Sequence, residues 1–127
     1  MPTILLLGND TADAAPISRI AAEGGHTALA SQNIDEFQLQ MAGQPIDLVV
    51  IFLTTISEQD IARLRPILHQ APDTKVCAVA PDHQESWLTT LLRAESLGAR
   101  HLLATPINPE QLRTIFDLTF PQPAQRD

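Results

Sequence analysis

Tyrosine is absent from this chain, tryptophan and cysteine occur once each, and Lys75 is its single lysine. Each scarcity excludes something. One cysteine, Cys77, rules out an internal disulfide, and its apolar neighbours make it a buried, inert thiol that suits a cytoplasmic protein. Eight basic residues against fifteen acidic ones give a net charge of −7, with no run of lysine or arginine. Nucleic acid and membrane surfaces are therefore not expected as direct partners, since both are gripped by clustered cations. No apolar stretch approaches the ~20 residues that cross a bilayer. The opening MPTILLLGND has no basic leader and too short an apolar run for a signal peptide. The expected location is the cytoplasm. His26, His69, His83 and His101 are scattered without ligand spacing, and no zinc pattern, Walker loop or nucleophile elbow occurs.

What remains is an ordinary globular composition, 44% hydrophobic and 18% charged, in 127 residues. That length suits one domain with a real core. The organising stretch is Pro45–Thr55, PIDLVVIFLTT, apolar from Ile46 to Leu53 except at Asp47. It does not alternate with period two, it is rich in Val and Ile, and turn formers bound it. A strand covered on both faces has this character, and such strands belong to parallel sheets flanked by helices. The carboxyl end of that strand, where open α/β sheets place their ligands, carries Phe52.

Around this run, strands and helices alternate. Thr3–Leu7 reads as the first strand, stopped by Gly8-Asn9-Asp10. A helix follows from about Asp13 to Gly24, with Ile17, Ile20 and Ala21 on one face and Pro16 tolerable only in its first turn. His26–Ser31 is the second strand, and Asn33–Met41 the second helix, with Ile34, Phe37 and Met41 inward. After the central strand, Ser57 caps a third helix, with Asp60 completing a weak capping box and Pro66 predicting a kink or early stop. Lys75–Ala80 is the fourth strand. The fourth helix begins near His83–Glu85 and ends at Gly98, and Arg100–Ala104 is the fifth strand. Asn108 caps the fifth helix with Pro109 at its first position, and that helix runs to about Phe120. The expectation is one domain over residues 1–120, with 121–127 a Pro-rich tail or the start of a linker. The crossover rule favours a doubly wound, five-stranded parallel sheet.

Four landmarks then resemble the receiver domain of bacterial response regulators. They are Gly25-His26 opening the second strand, Pro45-Ile46-Asp47-Leu48-Val49-Val50, Ala71-Pro72-Asp73-Thr74, and Gly98-Ala99 followed by Thr105-Pro106-Ile107-Asn108-Pro109-Glu110-Gln111-Leu112. The last is the most specific, and the resemblance spans Thr3–Phe120. It implies a flavodoxin-like (CheY-like) (βα)5 fold. It also implies phosphoryl transfer from a histidine kinase to an aspartate, with Mg²⁺ and a lysine neutralising the developing charge. The residues required for that chemistry are not here. The acidic pair becomes Gly8 and Asn9, followed by Asp10; the nucleophile becomes Phe52; the hydroxyl becomes Ala80; the lysine becomes Thr105; the aromatic switch becomes Leu102. A phenyl ring accepts no phosphoryl group, and Asp10 alone is too little for a hard cation. The stretch from Ala80 to Thr105 also runs slightly longer than in most receivers.

The expected function is thus a degenerate, phosphorylation-independent receiver: an interaction module in bacterial signal transduction, binding a protein partner, an attached output domain or a second copy. Catalysis, cofactors and Mg²⁺ are not expected. The fourth and fifth helices carry more apolar side chains than one face needs, and the candidate surface is Trp87, Leu91, Leu102, Phe116 and Phe120. Trp87 fits the core equally well. The alternative is a small-ligand sensor using an apolar pocket around Phe52, Ala80 and Thr105. A flavodoxin-like nucleotide binder is a weaker rival, because Gly8–Asp13 holds one glycine and two aspartates that repel phosphate. Asp47 lies at the wrong end of its strand to act as another acceptor.

Overall fold

The central run becomes β3, Leu48–Phe52, and all five of its residues are buried. The computed structural model describes residues 3–8, 11–53, 56–81, 87–105 and 107–120, without the side chains of 11–14, 81, 87 and 105. Around β3 stand β1 (Thr3–Leu7), β2 (Thr27–Ser31), β4 (Lys75–Pro81) and β5 (His101–Thr105), all parallel, in the order β2-β1-β3-β4-β5. The connecting helices are α1 (Thr11–Glu23), α2 (Ile34–Gly43), α3 (Glu58–His69), α4 (Trp87–Ser96) and α5 (Pro109–Thr119). This is the doubly wound, flavodoxin-like order, with its switch point between β1 and β3.

Two cores cover the sheet, and alternation along β3 feeds both. Leu48, Val50 and Phe52 join Ile17, Ile20 and Ala21 of α1 and Leu112, Ile115 and Phe116 of α5. Val49 and Ile51, with Leu53 just beyond the strand, join Ile34 and Phe37 of α2, Ile61, Leu64 and Leu68 of α3, and Ala94 of α4. No stripe of polar side chains runs along either face of β3, which explains the missing period of two. Local chemistry fixes the helix starts. Asn33 accepts from the Glu36 N–H at 2.8 Å, and Asn108 from the Glu110 N–H at 2.9 Å. Ser57 and Asp60 form a complete capping box. Gly25 and Gly98 take φ of 79° and 76° after α1 and α4, a region costly for other residues.

Several boundaries differ from expectation. α1 begins at Thr11, which puts Pro16 inside the helix in its second turn; burial of Ile17, Ile20 and Ala21 outweighs the hydrogen bond that Pro16 cannot donate. α3 runs past Pro66 to His69, because Leu68 still reaches the core and the Gln70 N–H bonds back to the Pro66 carbonyl at 3.2 Å. α2 continues past Met41 to Gly43, and β5 is displaced by one residue. The expected start of α4 at His83–Glu85, and the tail 121–127, lie outside the described residues. Among the described residues, no helix is long and apolar enough to cross a membrane.

Candidate functional site

The carboxyl edge of the sheet is built from the ends of β1, β3, β4 and β5. β1 ends in Leu7 and then Gly8, whose φ of 144° no side-chain-bearing residue adopts easily. Gly8 offers no side-chain oxygen. At the end of β3, Phe52 is 2% exposed, on the face covered by α1 and α5. Its register partner on β4 is Val79, and Val79, Leu103 and Ile107 belong to the same apolar cluster.

Ala80 is buried on the opposite face, in the cluster shared with α3 and α4. The structure therefore does not bring the Phe52 and Ala80 side chains together, because alternation sends them to opposite sides of the sheet. Thr105 closes β5 in register with Pro81, and nothing is described of its side chain. Asn9 and Asp10 lie outside the described residues. Gly8 and Phe52 supply no carboxylate for Mg²⁺, so the described part of this edge lacks the charged ligands that ion favours. Among the described residues, no group of three or more His, Cys, Asp or Glu side chains is placed to hold a metal. Asp47 is far from this edge: at the amino end of β3, its Oδ2 accepts from the Thr3 N–H at 2.8 Å. Cys77, on β4 beneath the edge, has its thiol pushed up to about 12 by burial, so it remains protonated and inert.

The candidate surface needs correction at two positions. Phe116 and Phe120 are 4% and 8% exposed and belong to the core on the α1 side. α5 turns them, with Leu112 and Ile115, toward α1 and the sheet, and among its large apolar side chains Leu118 is the exposed one. Leu102 is half-buried against the other core. The Trp87 side chain is not described. Leu91 is exposed, and it has company that spacing alone could have selected. Leu88, Leu91 and Leu92 are 67%, 41% and 58% exposed on α4, while Thr90 and Ala94 turn inward, as does Leu97 just past the helix. Positions i, i+3 and i+4 form one stripe, so this helix presents its leucines to solvent and its small side chains to the core.

Arg93 holds that helix in place. Its Nη2 donates to the Ile56 carbonyl at 2.7 Å, and its Nε lies 3.2 Å from a Glu58 carboxylate oxygen. α4 is thereby tethered to the segment between β3 and α3, at the same edge of the sheet as Phe52. Its partners come from distant sequence positions, so sequence alone gave Arg93 no signal.

No family model matches this chain, and no curated protein matches it. Solved structures do. A response regulator from Thermotoga maritima aligns over 96% of this chain and 99% of its own, at 17% identity and a TM-score of 0.81. A candidate pilus assembly-related protein from Burkholderia pseudomallei aligns over 100% and 95%, at 22% identity and a TM-score of 0.77. A candidate pilus assembly protein, CpaE, from Burkholderia thailandensis aligns over 96% and 100%, at 20% identity and a TM-score of 0.76. At such identities the likeness speaks for the fold.

Proposed function

We propose, with the CheY-like receiver fold as premise, that this chain is a phosphorylation-independent receiver whose work is to dock protein. The observation that carries this reading is the burial of Phe52 at the end of β3, the position to which the sequence resemblance assigns the phosphoacceptor carboxylate. Burying the ring is favourable by about 2 kcal/mol, whereas a carboxylate walled in by Val79, Leu103 and Ile107 would be strongly disfavoured. The same packing weighs against the sensor reading, since the Phe52 ring is committed to the core shared with α1 and α5.

The docking face is the Leu88–Leu91–Leu92 stripe of α4. Three leucines on one exposed stripe are costly to leave in water, and a partner that covers them recovers that cost. Arg93 fixes the stripe without help from a bound phosphoryl group, so docking is constitutive. Its occupant is a protein partner in cytoplasmic two-component-like signalling, an attached output domain or a second copy. The two Burkholderia neighbours, named for pilus assembly, add assembly machinery as a setting for such a module.

Footprinting by hydroxyl radicals tests this directly. The α4 leucines are modified in the purified chain at low concentration and protected in the native extract, and Leu92→Glu abolishes the protection. Equal modification of α4 in both, or protection confined to another face, defeats the reading.

A further inference from the structure

At the amino end of β2, on the edge opposite Phe52, His26 is wedged between α1 and α5. Its ring centroid lies 4.8 Å from that of Phe120 and 5.7 Å, edge-on, from that of Phe116. Phe116 and Phe120 are 6.0 Å apart, so three rings close the last turn of α5 against the start of β2. Nδ1 of His26 is sealed from solvent with no hydrogen-bond partner. The other side of the ring fits because residue 24 is glycine: a Cβ there would stand 3.0 Å from both Cδ2 and Nε2. Beside the ring runs a cleft of about 270 Å³, lined among others by Ile20, Glu23, Arg113 and Asp117.

Charged groups face the ring from each neighbouring element. α1 supplies Glu23, which pairs with Arg113 of α5 at 3.2 Å. α5 also supplies Asp117, and the turn ahead of β3 supplies Asp47. Neutral imidazole suits this seat: desolvation lowers its proton affinity below the ordinary value, with Asp117 and then Asp47 opposing. A proton on Nδ1 creates a buried cationic N–H with no acceptor, which is costly. The adjoining cleft, by contrast, offers the carboxylates of Asp117 and Glu23.

We propose that His26 is a proton-operated latch on the end of α5. Neutral, its ring packs against Phe116 and Phe120 and holds the last helical turn. On taking one proton from solvent, it turns into the Glu23–Asp117 cleft and releases Phe120. With Phe120 released, its N–H also loses the bond to the Phe116 carbonyl, and loss of the proton resets the latch. The device is independent of the α4 surface and stands or falls separately from it.

The test is a paired titration of the intact chain between pH 5 and 8. Proton NMR follows the His26 ring. Hydrogen exchange, corrected for its intrinsic pH dependence, follows the Phe120 amide, whose N–H donates to the Phe116 carbonyl at 2.7 Å. The expected result is a His26 midpoint below 6.5 and a roughly tenfold loss of Phe120 protection through that same midpoint, with β3 amides unchanged. His26→Phe keeps an aromatic ring that cannot titrate and makes Phe120 protection flat with pH. Asp117→Asn moves the His26 midpoint lower. Phe120 protection that ignores the His26 titration, or that still falls with acid in His26→Phe, overturns the latch. The wild-type pair of curves decides alone if the variant fails to fold.

Discussion

Phe52 and Cys77 lie on neighbouring strands and carry the clearest consequences at the scale of single residues. Replacing Phe52 with Asp restores the carboxylate of a working receiver on paper. In this chain it exchanges a ring that is 2% exposed for a charge among Val79, Leu103 and Ile107. Phe52→Asp is expected to lose at least about 3 kcal/mol in urea denaturation and to gain no phosphoryl mass from acetyl phosphate with Mg²⁺. Rapid labelling of that variant would show that the edge still assembles the chemistry. Cys77 predicts alkaline behaviour. Its folded thiol titrates at about 12 against an ordinary 9.0, so the unfolded chain releases the proton first as pH rises. Stability is therefore unaffected by this group below about pH 9 and declines from there toward pH 12. Ellman's reagent at pH 8 should find no thiol in the native protein and one in urea; reaction without urea would place Cys77 at a surface.

At the scale of elements, α4 is the unusual helix. Its inward positions hold Thr90 and Ala94, and its outward ones Leu88, Leu91 and Leu92. Because the outward leucines contribute little to the core, Leu88→Glu with Leu92→Glu should change the melting free energy by no more than about 0.5 kcal/mol per site while abolishing association with whatever covers the stripe. A collapse of thermal stability in that double variant would mean that the leucines pack inside. How much of this was legible beforehand depended on range. The starts of α2, α3 and α5 follow from Asn33, Ser57 and Asn108, whose capping bonds reach only two or three residues. β3 could be read from composition because both of its faces are covered. The direction of α5 could not be read, since Leu112, Ile115, Phe116 and Leu118 surround most of the helix and leave the choice to packing, and packing against α1 buried Phe116 and Phe120. Pro16 and Pro66 misled for a related reason: each lies in a helix whose apolar neighbours hold it in place against one missing hydrogen bond. The Arg93 tether and the His26 ring cluster join residues far apart in sequence, beyond the reach of local patterns.

At the scale of the molecule, one sheet separates two cores, and its two edges have different characters. The carboxyl edge, where this fold elsewhere performs phosphoryl chemistry, presents Gly8 and a buried Phe52. The amino edge carries His26 and its cleft. At the same edge, Arg93 of α4 donates to the Ile56 carbonyl and lies beside the exposed Glu58 carboxylate. The domain is accordingly expected to present one surface regardless of phosphodonor. The most direct test is light scattering on a size-exclusion column, with and without acetyl phosphate and Mg²⁺. The account predicts the same mass and elution in both runs, whether that mass is one copy or two. A change in mass or elution on adding the donor would contradict it, because the chain would then be a receiver that still answers to phosphorylation.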